Sequence, residues 1–125
     1  MADSSFIESE LIGDGILVIK LHGKLDSTRT EEFHSEVRSH LESGHKRIIL
    51  DCSNLGYISS LGLGSLVALE AKLRRQGGAV KLAGVQGNVA EILSLVRLDS
   101  VMGIYGDIAY AREAFQEEQQ KRERK

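Results

Sequence analysis

Two adjacent hydroxyls, Ser59 and Ser60, stand in the run Leu55-Gly-Tyr-Ile-Ser-Ser-Leu-Gly-Leu-Gly64, where a strongly apolar strand gives way to an apolar helix. A helix N-terminus exposes unpaired N–H groups and the positive end of the macrodipole, so it tolerates added negative charge better than other parts of a chain. A serine there has two uses. It can serve as an N-cap that accepts a backbone N–H, worth ~1 kcal/mol, or it can accept a phosphoryl group without unfolding its host. The neighbours bear on the choice. Gly62 and Gly64 fall in the first turns of the helix, where each costs up to ~1 kcal/mol relative to alanine. Close approach of another backbone segment is the expected reason for both. Leu61 and Leu63 flank them, and either side chain, if it points outward, adds apolar area suited to a protein partner.

Other reactive side chains form no comparable pattern. Asp26, Asp51, Ser60 and one histidine would be a conceivable hydrolytic set, but the sequence has neither a nucleophile elbow nor a phosphate loop ending in Gly-Lys-Ser/Thr. His22, His34, His40 and His45 lack metal-ligand spacing. No catalytic residue, metal or cofactor is expected. Cys52 is the single cysteine, and its place in Arg47-Ile-Ile-Leu-Asp-Cys52 suits a buried small hydrophobe in a reducing compartment.

The elements that must hold Ser59 and Ser60 follow from periodicity. Phe6 to Ile12 and Gly15 to Leu21 are apolar-rich stretches separated by Gly13-Asp-Gly15, which predicts an antiparallel hairpin. Phe33, Val37 and Leu41 recur every four residues and predict a helix that Gly44 ends; Asp26, Ser27 and Thr28 are its cap candidates, and Thr28 with Glu31 could form a capping box. Arg47 to Asp51 carries Ile48-Ile-Leu50 without alternation, as a central strand covered on both faces would. Leu61 to Gln76 predicts a helix with a wide apolar face, stopped by Gly77-Gly78. Ala79 to Ala83 reads as a strand, Asn88 with Glu91 as the start of a short helix, Val101 to Tyr105 as an edge strand, and Asp107 as the cap of a last helix bearing Ile108, Ala111 and Phe115. Beyond Phe115, residues 116–125 are wholly polar, and the helix is expected to fray or run into solvent.

The fold expected is α/β: a mixed sheet of four to five strands, first pair antiparallel and the rest parallel, packed against about four helices. A length of 125 residues suits one domain, residues 1–125, with 116–125 as a polar extension. Sixteen basic and eighteen acidic side chains give a charge of −2, which supplies no basic field for nucleic acid. Met1-Ala-Asp-Ser-Ser-Phe6 lacks the blocks of a signal peptide, and no apolar run approaches the ~18 residues of a membrane helix, so the chain reads as soluble and cytoplasmic.

The segment Arg47-Ile-Ile-Leu-Asp-Cys-Ser-Asn-Leu-Gly-Tyr-Ile-Ser-Ser-Leu-Gly-Leu-Gly64 resembles the central motif of the STAS domain, shared by anti-sigma factor antagonists. Gly23-Lys-Leu-Asp26 resembles the family's loop after its second strand, Val80-Lys-Leu-Ala83 its later strand, and Leu95-Val-Arg-Leu98 the end of its third helix. The likeness runs from Phe6 to Phe115. It implies a partner switch in which an unphosphorylated antagonist binds an anti-sigma factor that is also a serine kinase, is phosphorylated and driven off, and is reset by a serine phosphatase. Aligned on Gly62-Leu-Gly64, the resemblance places the phosphorylated serine at Ser60. Ser59 then stands where the family often has Asp, and Leu61 where it often has Ser or Ala. By the same resemblance the partner-binding residues are Asp26, Ser27, Ser59, Ser60, Leu61, Gly62, Leu63 and Gly64, with Asp26 and Ser27 equally readable as helix caps. A second reading keeps the STAS fold but makes the chain a non-enzymatic scaffold or an accessory module of a sensor complex or membrane transporter.

Overall fold

The computed structural model describes residues 6–123. The N-terminal residues 1–5, read above as lacking a leader, and the last two of the polar tail lie outside the described residues. Five strands form one sheet in the order β1 (Ile7–Ile12), β2 (Ile16–Leu25), β3 (Arg47–Ile58), β4 (Ala79–Ala83), β5 (Gly103–Tyr105). The first pair is antiparallel and the others are parallel. Helices α1 (Thr30–Glu42), α2 (Ser60–Arg75), α3 (Gly87–Leu95) and α4 (Ile108–Glu123) complete the predicted α/β architecture. None of the described helices is long and apolar enough to cross a membrane.

The hairpin closes on the pair Ile12↔Ile16, and Asp14 and Gly15 both take the left-handed conformation that Asp-Gly accepts readily. Because strand side chains alternate, the sheet buries two different sets. Leu17, Ile19, Ile48, Leu50, Val80 and Leu82 meet Phe33, Leu66, Leu73 and Leu93 of α1–α3 on one face. On the other, Ile16, Val18, Ile49, Ala79 and Ala83 meet Ala111 and Phe115 of α4. β3 lies mid-sheet with helices on both sides, as its unalternating run predicts.

Three expectations need correction. β3 does not end at Asp51; it continues to Ile58 because Asn54 to Ile58 keep pairing with His22 to Leu25 through two register shifts. Exposed Ser53, Asn54 and Gly56 interrupt its apolar pattern without ending its ladder. Thr28 and Glu31 form no capping box: α1 begins at Thr30, and the Thr28 hydroxyl donates to Asp26 Oδ1 at 2.7 Å instead. Asn88 is not the cap of α3, since Gln86 holds that position and its side-chain amide donates to the Ser53 carbonyl at 2.7 Å. Beyond Phe115 the second of the two expected outcomes holds: α4 stays helical, and residues 117–123 are exposed. It runs to Glu123 along the sheet, where Gln116 donates to Asp14 (2.7 Å), Glu118 pairs with Lys81 (2.7 Å) and Gln119 accepts from Arg47 (2.6 Å). Polar side chains, invisible to an apolar stripe, anchor that half of the helix.

Candidate functional site: the start of α2

The strand pair β2–β3 ends on the match Leu25↔Ile58, so the next residue of each chain segment, Asp26 and Ser59, leaves the sheet from the same row. This adjacency brings the loop Asp26–Arg29 beside the start of α2. Three bonds lock the junction. Ser59 N–H donates to the Leu25 carbonyl at 3.0 Å, Ser59 Oγ donates to the same carbonyl at 3.4 Å, and Gly62 N–H donates to Ser59 Oγ at 3.1 Å. Ser59 is therefore the N-cap, with extended backbone and its hydroxyl used in both directions.

Gly62 is buried because Leu25 leaves no room for a side chain: a Cβ there would stand 2.6 Å from the Leu25 carbonyl oxygen and 3.0 Å from Ile58 Cγ1. The close approach expected from the sequence is realised at this glycine. Gly64 is different. Nothing lies within 4 Å of where its Cβ would be, so the backbone-contact explanation does not hold for it. Its effect is to leave the outer surface of α2 flat.

Ser60 is the first residue of α2, exposed, and its Oγ has no hydrogen-bond partner among the described residues. Leu61, 55 % exposed, points outward, whereas Leu63 is half-buried against the core. From Ser60 the exposed positions of α2 are Leu61, Gly64, Val67, Ala68 and Ala71, and no exposed charge appears before Lys72. The α2 surface beside the free hydroxyl is thus uncharged, with the Asp26–Arg29 loop next to it. Such a surface sheds water at low cost when another protein covers it.

Asp26 is half-buried and Ser27 exposed. Asp26 Oδ1 accepts from the Thr28 amide (3.1 Å), the Thr28 hydroxyl (2.7 Å) and the Arg29 amide (3.2 Å), which makes it the turn that leads into α1. The Thr28 hydroxyl, followed by the Thr28 and Arg29 amides, holds the Asp26 carboxyl below the ordinary carboxylate range. Ser27 gives its carbonyl to Thr30 Oγ1 at 3.2 Å and leaves its own hydroxyl outward. The eight residues singled out from the sequence therefore divide by position. Ser60, Leu61, Gly64 and Ser27 face solvent, Ser59, Leu63 and Asp26 are partly covered, and Gly62 is interior.

Sequence reasoning missed Tyr57, which is exposed two residues before Ser59. An aromatic residue between Gly56 and Ile58 carried the signal, but β3 was expected to end before it. Asp51 is buried, and its Oδ1 accepts from Ser53 N–H and Oγ at 3.1 and 2.8 Å. It is not assembled with Asp26 and Ser60. Burial pushes the Cys52 thiol up to about 12, so it is uncharged at neutral pH.

Residues 11–111 match the STAS domain. BtrV of Bordetella bronchiseptica, whose name describes an anti-sigma factor antagonist, is 28 % identical over 102 residues, or 82 % of this chain and 88 % of BtrV. The crystal structure of TM1081 from Thermotoga maritima, also named for that role, superposes with a TM-score of 0.81 at 26 % identity, covering 86 % of this chain and 92 % of TM1081. The Bacillus protein SpoIIAA has the same fold in its unphosphorylated form (TM-score 0.75, 20 % identical, 88 % and 96 % covered) and in its phosphorylated form (0.68, 19 %, 87 % and 98 %). With β2–β5, α1–α3 and the Ser59–Gly64 junction inside the matched span, the chain belongs to the STAS domain family.

Proposed function

We propose that this protein is an anti-sigma factor antagonist that works as a partner switch in the bacterial cytoplasm. Unphosphorylated, it binds an anti-sigma factor that is also a serine kinase; phosphorylated on Ser60, it is released, and a serine phosphatase restores the binding form. The observation that carries this reading is the division of labour between two neighbouring hydroxyls. Ser59 is committed to the cap and to Leu25, while Ser60 is exposed and its hydroxyl has no partner among the described residues. The name of BtrV and the existence of SpoIIAA in both phosphorylation states support it.

In this cycle the chain is the substrate, not the enzyme. Ser60 Oγ attacks the γ-phosphorus of the kinase's ATP, ADP departs, and the hydroxyl proton passes to a base on the kinase. The product carries about −1.5 to −2 charges on its phosphate. At the N-terminus of α2 that charge meets the positive end of the helix, so the fold stays intact. The partner, in contrast, must desolvate the phosphate against Leu61, Gly64 and Ala68, which have no cation to offer. Binding is lost although the carrier is unchanged in stability.

The test is capture with matched baits. The parent chain and Ser60→Ala should retain the same protein from the source cell, Ser60→Asp should not, and mass spectrometry should identify it as an anti-sigma factor with a kinase fold. Incubated with ATP, that protein should label the parent on Ser60 and leave Ser60→Ala unlabelled. Retention of transporter or sensor subunits, equally by all three baits, would replace this reading with that of an accessory module.

A further inference from the structure

A second surface feature continues from the Ser60 face. Between α1 and α2 lies an open groove of about 220 Å³, floored by Phe33, Val37, Leu41 and Leu69 and rimmed by His34, Arg38 and Lys72. Among the described residues no acidic side chain lines it. Several cations elsewhere are committed to carboxylates: Arg29 to Glu32, Arg74 to Glu70, Lys81 to Glu118, Arg112 to Asp14. Arg38 and Lys72 have no ion-pair partner among the described residues. An apolar floor under an unbalanced positive rim favours a negatively charged, amphipathic occupant.

Size decides between classes of occupant. Small-molecule pockets usually hold ~300–1,000 Å³ and enclose most of the ligand. This groove is smaller and open along its length, which suits a few side chains of a protein segment instead. Its position says which protein. Leu61, Gly64, Ala68 and Lys72 succeed one another at three- and four-residue steps, so they lie in one line down α2 from the Ser60 end into the groove. Between the two, the Ser65 hydroxyl donates to the Leu61 carbonyl at 3.1 Å and lies 3.1 Å from His34 Nε2, which ties α1 to α2 at that level. The uncharged surface around Ser60 and the cationic groove are therefore one continuous face.

We propose that the groove seats an acidic amphipathic segment of the same anti-sigma partner that reads Ser60, giving the complex a second contact point remote from the phosphorylated hydroxyl. The inference rests on the partner-switch reading. Its chemistry is separate: Ser60 gates binding by acquiring charge, while Arg38 and Lys72 attract charge already present on the partner.

The test uses the protein recovered by the Ser60-dependent capture, purified and titrated by calorimetry against the parent, Arg38→Glu/Lys72→Glu, Arg38→Lys/Lys72→Arg and Ser60→Asp. The charge-reversed double variant should bind about tenfold more weakly, with most of the loss at low salt, because rim charges act over distance and are screened. The charge-conserving variant should bind as the parent does, and thermal melts should leave both folded. In the complex, hydrogen exchange should slow at amides 33–41 and 68–72. If Ser60→Asp abolishes binding while the charge-reversed variant binds like the parent, the groove proposal falls and the switch reading stands. If neither change weakens binding, or no Ser60-dependent partner is recovered, both fall. If charge reversal instead alters the sedimentation mass of the free chain, the groove is a face between two copies, and the proposal is overturned.

Discussion

The two sides of the sheet handle charge in opposite ways. Under α4, Lys81 is 3 % exposed, its ammonium 2.7 Å from Glu118 and over the rings of Phe115 (4.6 Å) and Tyr105 (5.6 Å), while Arg47 and Asp14 are held by Gln119 and Gln116. These polar groups are paired across the helix and the sheet. At the start of α2 the exposed face of the helix is uncharged for three turns, and the Ser60 hydroxyl has no hydrogen-bond partner among the described residues. A new charge on the α4 side would meet partners already fixed in place. At Ser60 it would meet water, the helix dipole, the neighbouring Asp26–Arg29 loop and whatever protein docks. On the proposed reading, stability and switching fall on different surfaces of one small fold.

That contrast can be broken, beginning with the largest effect. Gly62→Val places side-chain atoms against the Leu25 carbonyl, which already lies 2.6 Å from a would-be Cβ, and should cost ~3 kcal/mol in urea unfolding. A cost under ~1 kcal/mol would mean that the junction is looser than described. On the other side, Glu118→Ala strands the buried Lys81 ammonium and should cost ~1–2 kcal/mol, the surviving ring contacts offsetting part of the loss. Lys81→Met, which removes the charge and keeps the volume, should stay within ~1 kcal/mol of the parent. If the two variants are equally destabilising, packing and not pairing dominates that face.

The adjacent serines sharpen the comparison further. Ser59→Ala loses the cap and should cost ~1 kcal/mol, whereas Ser60→Ala should change stability by less than ~0.5 kcal/mol. Reversal of that order in thermal melts would reverse their assignments. The smallest effect is a titration. Asp26 has a depressed folded pKa, so its turn adds stability above its unfolded value of 3.8 and loses it as pH falls through the lower folded value. Thr28 and Arg29 amide resonances should titrate with a midpoint below 3.8, and a midpoint at or above it would contradict the three bonds to Asp26 Oδ1.

Apolar runs announced most of this architecture. Ile48-Ile-Leu50 marked the centre of the sheet, Gly13-Asp-Gly15 the hairpin, and the Leu61–Leu73 pattern the helix that carries Ser60. What stayed hidden was organised by polar contacts. The second half of β3 is held by backbone pairing beneath exposed Ser53 and Asn54, and the second half of α4 by Gln116, Glu118 and Gln119, residue types whose sequence signal is the same whether solvated or bonded. The site shows the same limit. Residue types located the helix start, but only the path of Leu25 distinguishes Ser59 from Ser60 and Gly62 from Gly64. The α1–α2 groove was illegible because its cations, Arg38 and Lys72, sit on different helices and read separately as ordinary solvated faces.

The central claim is that charge at position 60 expels a partner and spares the fold. Its most direct test is the dissociation constant of Ser60→Asp and of the parent for the captured anti-sigma factor, measured alongside their melting temperatures. The account predicts affinity reduced by at least about tenfold, roughly 1.4 kcal/mol, with melting temperatures within about 2 °C of each other. Equal affinities with equal melting temperatures would contradict it outright, and a large drop in melting temperature would mean that Ser60 supports the fold.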